Sequence, residues 1–220
     1  MREHWRKVYK EAPSLFEHFV TAEDWGGEVS RKLHSLIPIT GRDVVELGCG
    51  AGHYTRALAR GAHRYTATEP EGALLQRARE ASSGEAQYRQ ARGEDLNVSS
   101  SSVDLVWASW VVANLPPETR KAVLTEATRV LKPISEGIWL VESHWSSEFM
   151  ELRGVGPDHS PSRRLIEGAG FSIMAEFDST IRFETKQAAI SVIGGICGYE
   201  VAARLKGRSA IGHRVVVLKR

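Results

Sequence analysis

The chain has 220 residues, 42% of them hydrophobic, which is enough to bury one full core, and its 29 basic and 27 acidic residues leave a formal net charge of +2. So balanced a charge argues against a nucleic-acid or membrane-surface partner. Two cysteines, Cys49 and Cys197, support neither a disulfide framework nor a thiolate metal site, so a reducing, cytoplasmic setting is expected.

In chain order, the opening MREHWRKVYKEAP is charged and has no apolar segment of the kind a leader needs, and no later apolar run approaches a membrane span. Residues 1 to about 36 carry Trp5, Tyr9, Leu15, Phe16, Phe19 and Trp25, which predicts a helical cap or lid ahead of the first strand. From residue 37 onward strands and helices alternate, the pattern of a parallel α/β sheet. DVVELG from Asp43, RYTATE from Arg64, AQYRQA from Ala86, VDLVWAS from Val103 and GIWLVES from Gly137 read as five strands. GHYTRALARGA follows the first as a helix, EGALLQRARE the second and PETRKAVLTEATRVLK the fourth, this last opened by Pro117 and closed by Pro133. SPSRRLIEGAG, with a serine cap and a glycine stop, leads into a sixth strand, FSIMAEF. KQAAISVIGGICGYEVAARLK reads as a helix interrupted at Gly194 and Gly195, and GHRVVVLKR closes the chain as a seventh strand. One domain spanning residues 1–220 is expected, with SSSS from Ser99 a solvated loop.

The chemistry is concentrated where the first strand meets the first helix, in VVELGCGAGHYT. Gly48, Gly50 and Gly52 there let a ligand approach the backbone closely. Glu46 stands just before the loop and Glu69 ends the second strand, where an acid can accept hydrogen bonds from ribose hydroxyls. A dinucleotide fingerprint would place its third glycine at position 53, and His53 stands there.

From about Val44 to Glu142 these residues resemble the class I S-adenosylmethionine-dependent methyltransferases, in their small-molecule branch. VVELGCGAG looks like their first motif, TATEP their second, ARGEDL their adenine-contacting third, and VDLVWASWVVANLPPETRKAVLTEATRVLKP their fourth strand and following helix. The resemblance implies a Rossmann-like seven-stranded sheet in the order 3-2-1-4-5-7-6, last strand antiparallel, with helices on both faces. It implies S-adenosylmethionine as cofactor, held by Glu46, Gly48, Cys49, Gly50, Gly52, Glu69, Pro70, Gly93, Glu94, Asp95, Ser109 and Trp110. Two departures stand out: KPISEG replaces the Pro-Gly-Gly turn of many relatives, and Arg92 stands where many place an acid two residues before Glu94. NLPP at Asn114 does not match the Asn-Pro-Pro-aromatic motif, which follows the fourth strand directly and has no interrupting leucine.

The donor's methyl group is already activated, so the protein's task is orientation and desolvation of the acceptor, with a base only where the acceptor must lose a proton. Groups for this would project from the ends of the fourth and fifth strands, where Ser109, Trp110, Asn114, Glu142, His144 and Trp145 lie. His144 is the candidate base by type. Tyr9, Phe16, Phe19, Trp25, Asn114 and Trp145 are the candidate acceptor wall. No carboxylate or histidine spacing suggests a metal. The expected function is methyl transfer to a small-molecule acceptor. The alternatives are an RNA or protein acceptor, or cofactor binding without transfer.

Overall fold

A computed structural model describes residues 3–220, and side chains from residue 7 onward. Trp5 therefore lies outside the residues whose side chains are described. Three helices lead the chain: α1 (Glu3–Glu11), α2 (Pro13–Glu23) and α3 (Glu28–Leu36), with a 3-10 turn at Trp25–Gly27. The core follows as β1 (Asp43–Leu47), α4 (His53–Leu58), β2 (Arg64–Glu69), α5 (Gly72–Glu80), β3 (Gln87–Gln90), β4 (Leu105–Ser109), α6 (Pro117–Val130) and β5 (Gly137–Ser143). The remainder comprises α7 (Glu148–Leu152), α8 (Pro161–Ala169), β6 (Ser172–Arg182), α9 (Lys186–Cys197), α10 (Tyr199–Ala203) and β7 (Ala210–Lys219).

The strands form one sheet in the order β3-β2-β1-β4-β5-β7-β6. The first five pair in parallel, and β7 runs antiparallel between β5 and β6. This is the Rossmann-like seven-stranded sheet, last strand antiparallel, that the resemblance implies. β1 is buried along its whole length, as an inner parallel strand covered on both faces must be. Alternate residues feed two cores. Val44, Tyr65, Trp107 and Val215 pack beneath the N-terminal helices and α9. Val45, Leu47, Val106 and Leu140 pack against Val123, Ala127 and Val130 of α6 and Leu165 of α8.

Several predicted boundaries move, two of them with consequences for packing. β6 continues to Arg182, beyond the predicted FSIMAEF, because β7 pairs with it as far as Ala210, with one irregularity between Ile173 and Ala175. The break in the long C-terminal helix falls at Gly198, at φ +102, and not at Gly194 and Gly195. Those two glycines lie inside α9, where close neighbours leave no room for a side chain. A Cβ on Gly195 would stand 2.5 Å from the Leu15 side chain of α2, and one on Gly194 would stand 2.7 Å from the ring of Tyr199.

Candidate active site

The carboxyl ends of β1, β2, β4 and β5 open into one cleft of about 940 Å³, roofed by α1 and α2. Its floor is the loop after β1. Gly48 and Gly50 sit at φ +70 and +56, where L side chains are strained. They also have no room: a Cβ on Gly48 would lie 2.6 Å from Val111, and one on Gly50 2.9 Å from the Phe16 ring. The loop's N–H groups turn inward. Those of Gly48 and Cys49 donate to the Thr68 carbonyl at 2.8 and 2.9 Å, that of Gly50 to Glu69 Oε2 at 2.9 Å, and that of Gly52 to the Cys49 carbonyl. A pyrophosphate needs such donors aimed at it. The loop therefore offers a close-packed floor and not a phosphate cradle.

Glu69 ends β2, 5% exposed, and lines the cleft. Its second oxygen accepts the Glu71 N–H at 3.0 Å. Burial raises its carboxyl to about pH 7, against the pull of those two backbone donors. Pro70, Gly93, Glu94, Ser109 and Trp110 line the same cleft, with Cys49 beside the glycines. Glu94 is held by Arg92, Nε to Oε1 at 2.7 Å. Arg92, which departs from the family pattern, lines the cleft itself and orients Glu94 there. Trp110 adopts φ +54 directly after β4, a conformation that costs a bulky residue roughly 1–3 kcal/mol and clusters at functional sites. Its indole N–H donates to Ser143 at 3.2 Å, and its ring lies 5.3 Å from that of Tyr54.

Three expected cofactor residues lie off the cleft lining. Glu46, 1% exposed, turns under the loop and accepts from Thr55 at 2.7 Å and Tyr65 at 2.9 Å, so it anchors α4 to the sheet. Gly52 packs against Ala78 and Tyr88. Asp95 is exposed and closes a turn onto the Arg92 carbonyl.

On the acceptor side, Tyr9, Phe16, Phe19 and Asn114 line the cleft, and Trp25, Trp145 and His144 do not. Trp25 is 40% exposed at the turn between α2 and α3. Trp145 stacks on His144, with ring centroids 3.9 Å apart. His144 departs from the base expected of it because β5 has ended and the chain has turned towards β6 and β7. Its Nδ1 accepts from Ser146, its Nε2 faces Glu176 at 3.3 Å, and burial lowers its pKa. The histidine is enclosed in that network and takes no part in the cleft.

Other groups occupy the space. Glu23 of α2, Glu142 of β5, Tyr54 of α4, Phe149 and Arg153 at α7, and Ser143 all line it. Glu142 stood among the strand-end candidates. Glu23, Tyr54 and Arg153 were not visible in the sequence, because only the packing of α2 and α7 over the sheet edge brings them there. The one available signal for Glu23 was an acid in an aromatic-rich helix.

A protein-family model described as a methyltransferase domain matches residues 45–138, from within β1 to the start of β5. None of the curated protein sequences matches the chain. Among solved structures, the chain is similar to the 4+2 cyclase SpnF, with 17% identity and a TM-score of 0.59 over 87% of this chain and 80% of that one. It is also similar to an S-adenosylmethionine-dependent methyltransferase from Mesorhizobium loti, with 20% identity and a TM-score of 0.51 over 92% and 100%. A third is the partner chain in a complex with the Haloferax volcanii Trm112 methyltransferase activator, with 19% identity and a TM-score of 0.61 over 99% and 97%. At these identities the structural likeness establishes the fold.

The residues present fit the donor this domain uses: a carboxylate at the end of β2 for a ribose, and a loop whose inward N–H groups suit a ligand without phosphate. With the matched domain seated on this sheet and its glycine loop and Glu69 facing one cleft, the protein is a methyltransferase whose methyl donor is S-adenosylmethionine.

Proposed function

We propose that the acceptor is a small molecule, held between the ends of β4 and β5 and the N-terminal helices, while the cofactor occupies Gly48, Cys49, Gly50, Glu69, Pro70, Gly93, Glu94, Ser109 and Trp110. The observation that carries this is the roof. Phe16 rests against Gly50, Tyr9 packs edge-on against Phe16 at 5.0 Å, and Glu17 pairs with Arg77 of α5 at 2.6 Å, so α1 and α2 cover the loop. A chamber under such a cover suits a small guest better than a polymer, and it excludes water from the reacting atoms. When bound, S-adenosylmethionine supplies an activated methyl group. The chain's own part is to orient the acceptor, desolvate it and, where needed, take its proton.

The test offers methyl-tritiated S-adenosylmethionine with three pools: a low-mass extract, total RNA and total protein. Label is expected in the low-mass fraction. Label confined to RNA or protein would overturn the reading, as would no transfer to any pool by protein that still binds S-adenosylhomocysteine. The likeness to a chain solved with the Trm112 activator favours a second reading, in which RNA or protein is labelled once a partner is added.

A further inference from the structure

We infer that the acceptor is a small amine that enters as an ammonium, held by Glu23 and Glu142 and deprotonated by Glu142. This rests on the small-molecule reading above and narrows it.

Glu23 and Glu142 are 3% and 2% exposed, yet both border the cleft. Each is sparsely partnered among the described residues. Glu142 accepts the Ala113 N–H at 3.0 Å, and Glu23 accepts the Tyr54 hydroxyl at 3.5 Å. Burying a carboxylate costs several kcal/mol unless charge and hydrogen bonds compensate it. Among the described residues neither has a cation in salt-bridge contact, and beyond its burial Glu23 is raised further by the neighbouring acids Asp24 and Glu142. Two carboxyls kept in that condition beside a cleft are poised for a positive partner that arrives with the ligand.

The cofactor's own ammonium is a poor candidate for that partner. Glu69 and Glu142 stand at the ends of β2 and β5, three places apart in the sheet, which is roughly 14 Å at about 4.8 Å per strand. A donor held by Glu69 and the glycine loop would lie against the ends of β2 and β1, and Glu142 stands two strands from β1 in the sheet.

The rest of the chamber suits an ammonium. Arg153, stacked over Phe149 at 5.3 Å, lowers Glu23 only weakly and through space. Arg120, bonded to the carbonyls of Val112, Ala113 and Leu115, keeps its charge and likewise acts on Glu142 from a distance. Asp24 is paired with His53 at 2.8 Å. His213, behind Trp110, is pushed down to about 3 by burial and stays neutral. The two carboxyls are bordered by the rings of Tyr54, Trp110, Phe149 and Phe19, faces that attract ammonium groups. Burial raises Glu142 to about 8, which suits a carboxylate that takes a proton from an ammonium. The step balances. The ammonium proton passes to the Glu142 carboxylate, the freed nitrogen lone pair forms the N–C bond, and the electron pair of the breaking C–S bond stays on sulfur.

Two experiments test this. In the first, calorimetry on protein loaded with S-adenosylhomocysteine measures tetramethylammonium, choline and benzyltrimethylammonium, with 3,3-dimethyl-1-butanol as the neutral counterpart of choline. At least one ammonium should bind, choline at least tenfold tighter than its counterpart, and the preference should vanish in Glu23→Gln and Glu142→Gln. Failure of all three cations to bind, or equal binding of choline and its counterpart, overturns the inference. In the second, tritiated donor is offered with panels of amines, phenols and carboxylic acids. Amines should be labelled, and Glu142→Gln should lower kcat about 10²–10⁴-fold, the usual worth of a general base, with unchanged affinity for S-adenosylhomocysteine. Label on phenols or acids alone overturns the amine and leaves the small-molecule reading standing; label only on RNA or protein removes both. An unaltered kcat in Glu142→Gln with amines as acceptors removes Glu142 as the base.

Discussion

Glu46 and Glu69 are the same residue type, each at or near the end of an inner strand, each buried and each raised to about 7 by burial. Direction separates them. Glu69 faces the cleft while fastening Gly50 and Glu71, so Glu69→Ala should cost about 1.5–3 kcal/mol of S-adenosylhomocysteine binding by calorimetry and also lower Tm through the loosened loop. Unchanged affinity would remove it from the cofactor site. Glu46 is held by Thr55 and Tyr65 away from the cleft, so it enters the pH dependence of stability. Its folded pKa of about 7 lies above the ordinary carboxyl value of 4.5, so its contribution is complete below about 4.5 and is lost as pH rises through 7. The loss is on the order of 3 kcal/mol. Glu46→Gln, which mimics the protonated acid, should match the parent in urea melts at pH 5 and exceed it at pH 8.5. Equal losses in both proteins across that range would refute this assignment.

At the scale of elements, the decisive contact is between α2 and α9. Phe19 and Val20 are buried, and Leu15 fits against Gly195. Gly195→Val should destabilise the protein by about 1–3 kcal/mol, the usual cost of overpacking, and Leu15→Ala in the same chain should recover part of it. Additive losses would show that the two do not share this contact. The same packing bears on whether the N-terminal segment is a lid or a permanent cap. With its buried residues, α2 should show strong hydrogen-exchange protection with or without S-adenosylhomocysteine, while α1 gains protection on binding. Weak protection of α2 in the free protein would make the whole segment a lid.

At the scale of the molecule, the cofactor is enclosed by elements drawn from most of the chain, so its binding should stabilise the whole fold. At one hundred times Kd, S-adenosylhomocysteine should contribute about 2.7 kcal/mol, which for a chain of this length raises Tm by roughly 5–11 °C. NADH should leave Tm unchanged, because the N–H groups of Gly48, Cys49, Gly50 and Gly52 are committed to Thr68, Glu69 and Cys49 and are not aimed at a pyrophosphate. A shift with NADH and none with S-adenosylhomocysteine would contradict the cofactor assignment.

The sequence alone determined the succession of strands and helices, because that information is local, and the strand order came with the family resemblance. Apolar runs such as VVEL and VVVL mark buried strands, Pro117 and Gly170 mark helix ends, and the glycines before His53 mark the ligand loop. Those signals gave the order of elements and, through the ordered motifs, the donor. Side-chain direction at strand ends was not local. Glu46 and His144 bear the right chemistry at plausible positions, yet one turns under the loop and the other into the contacts with β6. The acceptor chamber was decided only by tertiary structure. Glu23, Tyr54, Glu142 and Phe149 come from four elements, and they meet because α2 and α7 close over the ends of β4 and β5. No sequence spacing encodes that meeting. It follows from which apolar faces had to be buried together.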